Sequence, residues 1–116
     1  QRVAVLRALA SRPRVLLLDE PLAAVDFQMR ENMQRELEDI VKKAKTTVVM
    51  VTHDVAESVY LGDRVLVMQS AGGSLLADIK IDMPRPRDRQ SPEFREHVAS
   101  ITELLRKSFN YKEEKK

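Results

Sequence analysis

The sequence predicts an α/β fold in which parallel strands are joined by a crossover helix and followed by a C-terminal β-hairpin and a C-terminal helix. Three observations carry that expectation. Val15-Leu16-Leu17-Leu18 is a short apolar run closed by Asp19, Glu20 and Pro21, the pattern of a strand buried on both faces of a parallel sheet. Thr46-Thr47-Val48-Val49-Met50-Val51-Thr52 is a second such run, rich in β-branched residues. Between them, Met29, Met33, Leu37, Ile40, Val41 and Ala44 recur at three- and four-residue steps among charged and amide side chains, the period of an amphipathic helix. Strand, helix and strand at this spacing form a βαβ unit with parallel strands and a right-handed crossover.

The elements follow in order. Residues 1–11 are mostly apolar helix formers, expected to form a buried helix that stops before Pro13, whose predecessor is pushed out of helical geometry. No capping residue precedes this helix and the chain opens on Gln1 rather than Met, so it reads as the C-terminal part of a longer protein. The first strand is expected over 14–19 and a loop over 21–26. Asp26 then caps a helix over 27–44, with Lys42, Lys43 and Lys45 near its C-terminus, where cations suit the helix dipole. Its two methionines read as core filler. After the strand at 46–52, Asp54 caps a short helix over 55–61, with Glu57 at the reciprocal position. Residues 64–68 form a further strand. Ala71-Gly72-Gly73-Ser74 signals a turn, and the alternation in 75–81 predicts a half-exposed hairpin strand. Residues 82–92 hold Pro84, Pro86 and Pro92 among arginines and predict an extended loop. Ser91 and Pro92 open a last helix, buried through Phe94, Val98, Ile101, Leu105 and Phe109. Residues 112–116 are expected to fray.

With 116 residues, the chain holds one domain at most. It has no cysteine, which excludes disulfides and thiolate metal sites. No apolar stretch approaches the roughly 20 residues of a membrane span. The 20 basic and 18 acidic residues are interspersed, whereas nucleic-acid binding calls for clustered cations with interleaved aromatics.

Ligands of parallel sheets bind beyond the carboxyl ends of the strands, and the βαβ unit brings Asp19, Glu20 and His53 to one such edge. Phosphoryl transfer from a nucleotide needs placement, a metal, a positioned water and neutralising charge. Asp19 is a hard carboxylate suited to Mg²⁺ through a coordinated water. Glu20 suits the attacking water as base or orienting acceptor. His53 suits a terminal phosphate oxygen. A lone histidine at a strand end is ordinarily a loop residue, so its significance rests on the acid pair beside it.

These residues resemble the ATP-binding subunits of ATP-binding-cassette (ABC) transporters. Val15-Leu16-Leu17-Leu18-Asp19-Glu20-Pro21 is similar to that family's Walker B strand and catalytic glutamate. Leu22-Ala23-Ala24-Val25-Asp26 is similar to its D-loop, Val51-Thr52-His53-Asp54 to its switch-histidine loop, and Gln1 to Ala10 to the helix after its LSGG signature. Met83-Pro84-Arg85-Pro86-Arg87-Asp88-Arg89 and Ser91-Pro92-Glu93-Phe94 resemble the tail of the nitrate/sulfonate/taurine importer branch. For the basic proline segment a solvated linker is an equal reading.

The resemblance implies a partial P-loop NTPase (ABC ATPase) domain over 1–82 and a C-terminal linker and helix over 83–116. It implies ATP and Mg²⁺ as cofactors, Glu20 and His53 as catalytic residues, Asp19 and His53 at the nucleotide, and Asp26 in a dimer contact. The implied partners are a second ATPase subunit and transmembrane permease subunits, with a solute-binding protein indirectly and no nucleic acid. The implied location is the cytoplasmic face of the cell membrane. The Gly-rich phosphate loop, the glutamine loop and the signature do not occur in these residues, so ATP hydrolysis is expected of an intact protein and not of this chain alone. Leu22 also replaces the family's usual aromatic, and Val25 its common leucine. Two other readings remain: a non-transport ABC-type ATPase of the kind found in DNA repair and chromosome maintenance, or a non-catalytic interaction module.

Overall fold

The computed structural model describes residues 2–69 and 72–114, excluding the side chains of Arg2 and of residues 109–114. The elements run α1 (Arg2–Ala10), β1 (Val15–Asp19), α2 (Phe27–Ala44), β2 (Thr47–Val51), α3 (Val55–Leu61), β3 (Arg64–Met68), β4 (Leu75–Lys80) and α4 (Pro92–Glu114). The fold is α/β, with the predicted parallel pair, crossover helix, hairpin and final helix all present. The chain divides into two compact units, Gln1–His53 and Asp54–Lys116.

The first unit is the βαβ unit with α1 before it. β1 and β2 are parallel, with Val15 opposite Thr47 and Asp19 opposite Val51. α2 joins them. Asp26 caps it by accepting from the amides of Gln28 at 2.8 Å and Met29 at 3.4 Å, as the sequence predicts. Lys45 closes the other end in the left-handed region, its N–H donating to the Val41 carbonyl.

Burial in this unit departs from expectation in three ways. Among the described residues of α1 only Val5 is buried, while Val3 and Leu6 are exposed. The inward stripe of α2 carries Gln34, Leu37 and Glu38, so the face is rotated from the predicted one. Met29 and Ala44 are exposed and Met33 is half-buried; Met29 is therefore not core filler. The strands are covered on one face only. Leu16 is 7% exposed, but Val15, Leu17, Val49 and Val51 are 58%, 66%, 49% and 47% exposed. In the register these four residues form a continuous apolar ladder. A strand pair built for two-sided cover receives one-sided cover from the elements of this unit.

The second unit holds the larger core: Val59, Tyr60, Val65, Val67, Ile81, Phe94 and Ile101. β3 and β4 are antiparallel, Arg64 opposite Lys80 and Val65 opposite Ile79. The turn between them contains Gly72 and Gly73, with φ of 81° and 66°, a conformation that costs glycine nothing; Ala71 lies outside the described residues. The predicted alternation holds, with Ala77 and Ile79 facing the core and Asp78 and Lys80 facing water. Asp78 pairs with Arg64 across the strands. That hydrogen bond, then the carboxylate's charge, raises the guanidinium's already high pKa.

α4 starts at a true cap, the Phe94 amide donating to Ser91 Oγ at 3.2 Å. Its buried stripe is Phe94, Val98, Ile101 and Leu104. Leu105, predicted to be buried, is 39% exposed, because the step from Ile101 to the core is three residues and not four. Phe109 lies outside the described side chains. The helix runs through Glu114, beyond Lys112 where fraying is expected.

The basic proline segment is not a solvated linker. Arg87 is only 5% exposed and donates to the carbonyls of Val59, Tyr60, Gly62, Ile81 and Met83. Arg85 donates to the carbonyls of Tyr60 and Leu61 and to Asp63. Arg89 lies 3.8 Å above the Tyr60 ring, a cation–π contact.

Candidate functional site

The site is built at the carboxyl edge of β1 and β2, entirely within the first unit. Parallel pairing in register makes the two strands end together, Asp19 opposite Val51. The ladder continues one residue further, the Glu20 N–H donating to the Val51 carbonyl at 2.7 Å. There the chain turns. Glu20 adopts φ 48°, in the left-handed region, at a cost of about 1–3 kcal/mol for a residue with a Cβ. Pro21 follows and disfavours right-handed helical geometry at Glu20. The turn is held by the Ala23 N–H on the Glu20 carbonyl at 3.2 Å and the Val25 N–H on the Leu22 carbonyl at 3.1 Å. Leu22, 3% exposed, anchors the loop from below, which is what an aliphatic side chain can do in place of an aromatic.

This turn aims the Glu20 side chain at His53. His53 Nε2 and Glu20 Oε1 lie 2.9 Å apart, with side-chain exposures of 91% and 36%. The imidazole donates from Nε2, either as the cation or as the Nε2–H tautomer. At that exposure the contact contributes little to stability; its content is geometric. Thirty-three residues apart in sequence, a carboxylate and an imidazole meet at the end of two parallel strands.

Asp19 ends β1 with an exposed side chain. The described residues contain no group of three or more His, Cys, Asp or Glu able to hold a metal. One hard carboxylate facing solvent nevertheless fits Mg²⁺, which retains several waters and takes one or two carboxylates, its remaining ligands coming from phosphates. Asp26 stands at the end of the same loop, and its carboxylate is engaged as the α2 cap. Arg30, which the sequence reading passed over, ties the loop to the helix by donating to the Val25 carbonyl at 3.1 Å. Phe27 was also passed over: it is 80% exposed beside Ala23 and Ala24, themselves exposed. An aromatic residue directly after a capping aspartate was the available signal.

Three relatives frame this geometry. An uncharacterized ABC transporter ATP-binding protein of Methanocaldococcus jannaschii is 49% identical over 106 residues, covering 91% of this chain and 40% of the relative. The aliphatic sulfonates import ATP-binding protein SsuB of Rhodopseudomonas palustris is 55% identical over 106 residues, covering 91% of this chain and 36% of the relative. The nitrate import ATP-binding protein NrtD of Synechocystis is 40% identical over 115 residues, covering 91% of this chain and 43% of the relative. The chain thus spans about two-fifths of the length of these relatives. No family model matches it.

Proposed function

We propose that this chain, homologous over nine-tenths of its length to ABC transporter ATP-binding proteins, supplies the hydrolytic edge of an ATPase subunit that drives import of a small oxyanion. The reading of the solute as a nitrate- or sulfonate-like anion comes from the relatives. The reading of the chemistry comes from the chain's own residues. In this assignment residues 1–82 carry the ATPase-domain elements and 83–116 a C-terminal segment, packed through Arg85 and Arg87 rather than a free linker, and the last helix.

The observation that carries the reading is the 2.9 Å approach of Glu20 and His53 beyond paired parallel strands. Glu20 accepts a hydrogen bond from the attacking water and orients it. His53 donates from Nε2 to a terminal phosphate oxygen. Its exposure leaves the ring free to turn from the carboxylate to a phosphate. Asp19 holds the metal through a coordinated water; Mg²⁺ bound there would neutralise the charge of the phosphate oxygens. Asp26 shapes the loop beside the site and, in a dimer of such subunits, lies in the contact between them. The partners in this reading are a second ATPase subunit and membrane permease subunits, at the cytoplasmic face of the membrane. None of the described helices is long and apolar enough to cross a membrane itself.

The test is Glu20→Gln in an intact subunit carrying this segment. The amide keeps the shape and loses the charge that pulls on the water's proton. Turnover is expected to fall by about 10²-fold or more, with ATP binding unchanged. Full turnover in that variant removes Glu20 from its role and the reading with it.

A further inference from the structure

We propose that Arg30 is a positioning residue for Glu20, acting through the loop that joins β1 to α2. The proposal rests on the hydrolytic role given to Glu20 above, and every group in it belongs to the first unit. Arg30 carries its charge in an unfavourable place. It stands in the first turn of α2, a turn that holds no acid, and a cation there meets the positive end of the helix dipole. The side chain turns back to the loop, where Nη2 donates to the Val25 carbonyl at 3.1 Å. The first carbonyl used by the helix itself is that of Asp26, which accepts from the Arg30 N–H at 3.1 Å. The Val25 carbonyl lies one residue outside that ladder, so the guanidinium supplies what the helix cannot.

What the loop holds is a strained backbone. Glu20 sits at φ 48°, a conformation that persists only where its surroundings over-determine it. On one side the Glu20 N–H is fixed by the Val51 carbonyl at 2.7 Å. On the other, the Glu20 carbonyl accepts from the Ala23 N–H at 3.2 Å and the Leu22 carbonyl from the Val25 N–H at 3.1 Å. Those two bonds join the loop to itself. Burial of Leu22 anchors its near end. Two side chains fasten its far end to α2: Asp26 at the amides of Gln28 and Met29, and Arg30 at the carbonyl just before the cap.

A charge-assisted hydrogen bond and the strain of a left-handed glutamate are of the same order, so losing the first lets the second relax. With the Val25 carbonyl released, the turn opens and the Glu20 backbone returns toward extended geometry, which the following Pro21 favours. The carboxylate then leaves its 2.9 Å contact with His53. Placement of a group beside the reacting atoms is worth large factors in rate, whereas nucleotide affinity does not depend on the aim of the group that orients the water. Arg30 thereby sets the direction of the Glu20 carboxylate through the backbone.

The experiment uses an intact subunit carrying this segment, with Arg30→Met, Arg30→Gln and Arg30→Lys, and with Arg35→Gln as an exposed control on the same helix. Methionine keeps an apolar stem and removes every donor. Without nucleotide, the amides of Ala23 and Val25 are expected to exchange about tenfold faster in Arg30→Met and Arg30→Gln. The His53 imidazole NMR signal is expected to move in the direction in which Glu20→Gln moves it. With Mg-ATP, kcat should fall about 10- to 100-fold at unchanged KM. The same substitutions added to Glu20→Gln should lower its residual rate no further, because both changes remove one aligned carboxylate. Lysine should restore part of each effect, since one donor suffices for one carbonyl, and Arg35→Gln should match the parent protein. An unmoved His53 signal overturns the proposal, as does unchanged loop exchange or a full additional fall in kcat on the Glu20→Gln background. If one of the two donor-removing substitutions melts the unit, seen as lost protection at Val48 and Met50, the other carries the comparison. Melting by both makes Arg30 a support of the fold alone and also overturns the proposal. Full turnover in Glu20→Gln sinks the hydrolytic reading separately, because the hold of Arg30 on Glu20 is read from the nucleotide-free signals.

Discussion

Asp26 shows how one side chain serves a loop and a helix together. Its carboxylate meets two otherwise orphaned amides of α2, and its position sets where the loop from Glu20 ends. Asp26→Ala is expected to cost about 1 kcal/mol, read as a lower denaturation midpoint. Asp26→Asn should recover most of that, because the amide oxygen still accepts. Asp19, Glu20 and His53 were legible as one strand edge, since parallel strands joined by a single crossover end on the same side, and Asp26 was legible separately as the α2 cap. The left-handed backbone at Glu20 was not legible. It follows from the extra ladder bond to Val51, a tertiary contact that no local pattern announces. Arg87 was misjudged for a related reason: a burial of 5% depends on carbonyls contributed by α3 and by the end of β4, which no count of charges and prolines reveals.

At the level of elements, apolar runs, periodicity and capping residues located each described helix and strand, while faces were harder to assign. α2 presents Gln34 and Glu38 inward because polar partners are available there, and hydrophobicity alone points to Met29 instead. α4 shows the same ambiguity at Leu104 and Leu105, where adjacent leucines make two stripes equally apolar. The second unit's core depends most on α4. Phe94, 3% exposed, belongs to the same cluster as Tyr60, Val67 and Ile81. Phe94→Ala should therefore destabilise this unit by about 3–5 kcal/mol. Exchange protection lost across β3, β4 and α3 together would confirm a single cooperative core, and loss confined to α4 would refute it.

On the scale of the whole chain, two kinds of fold support differ sharply between the units. The first unit pairs strands of nearly pure hydrocarbon whose outer ladder of Val15, Leu17, Val49 and Val51 meets solvent. Its stability as a separate chain is expected to be low, and heating should give a broad transition rather than a sharp one. No glycine-rich phosphate loop occurs among its residues, so calorimetric titration of this chain with Mg-ATP is expected to show no micromolar binding. Heat of binding at that level would mean that the acid pair and imidazole hold nucleotide without such a loop.

The uncovered ladder has a consequence in a living cell. Valine and leucine on an open strand pair, with unpaired backbone along its margins, are the features that holdase chaperones grip and that seed self-association. Produced by itself, this polypeptide would be handed to the quality-control machinery, and its abundance would track how quickly something shields that face rather than how quickly it is synthesised.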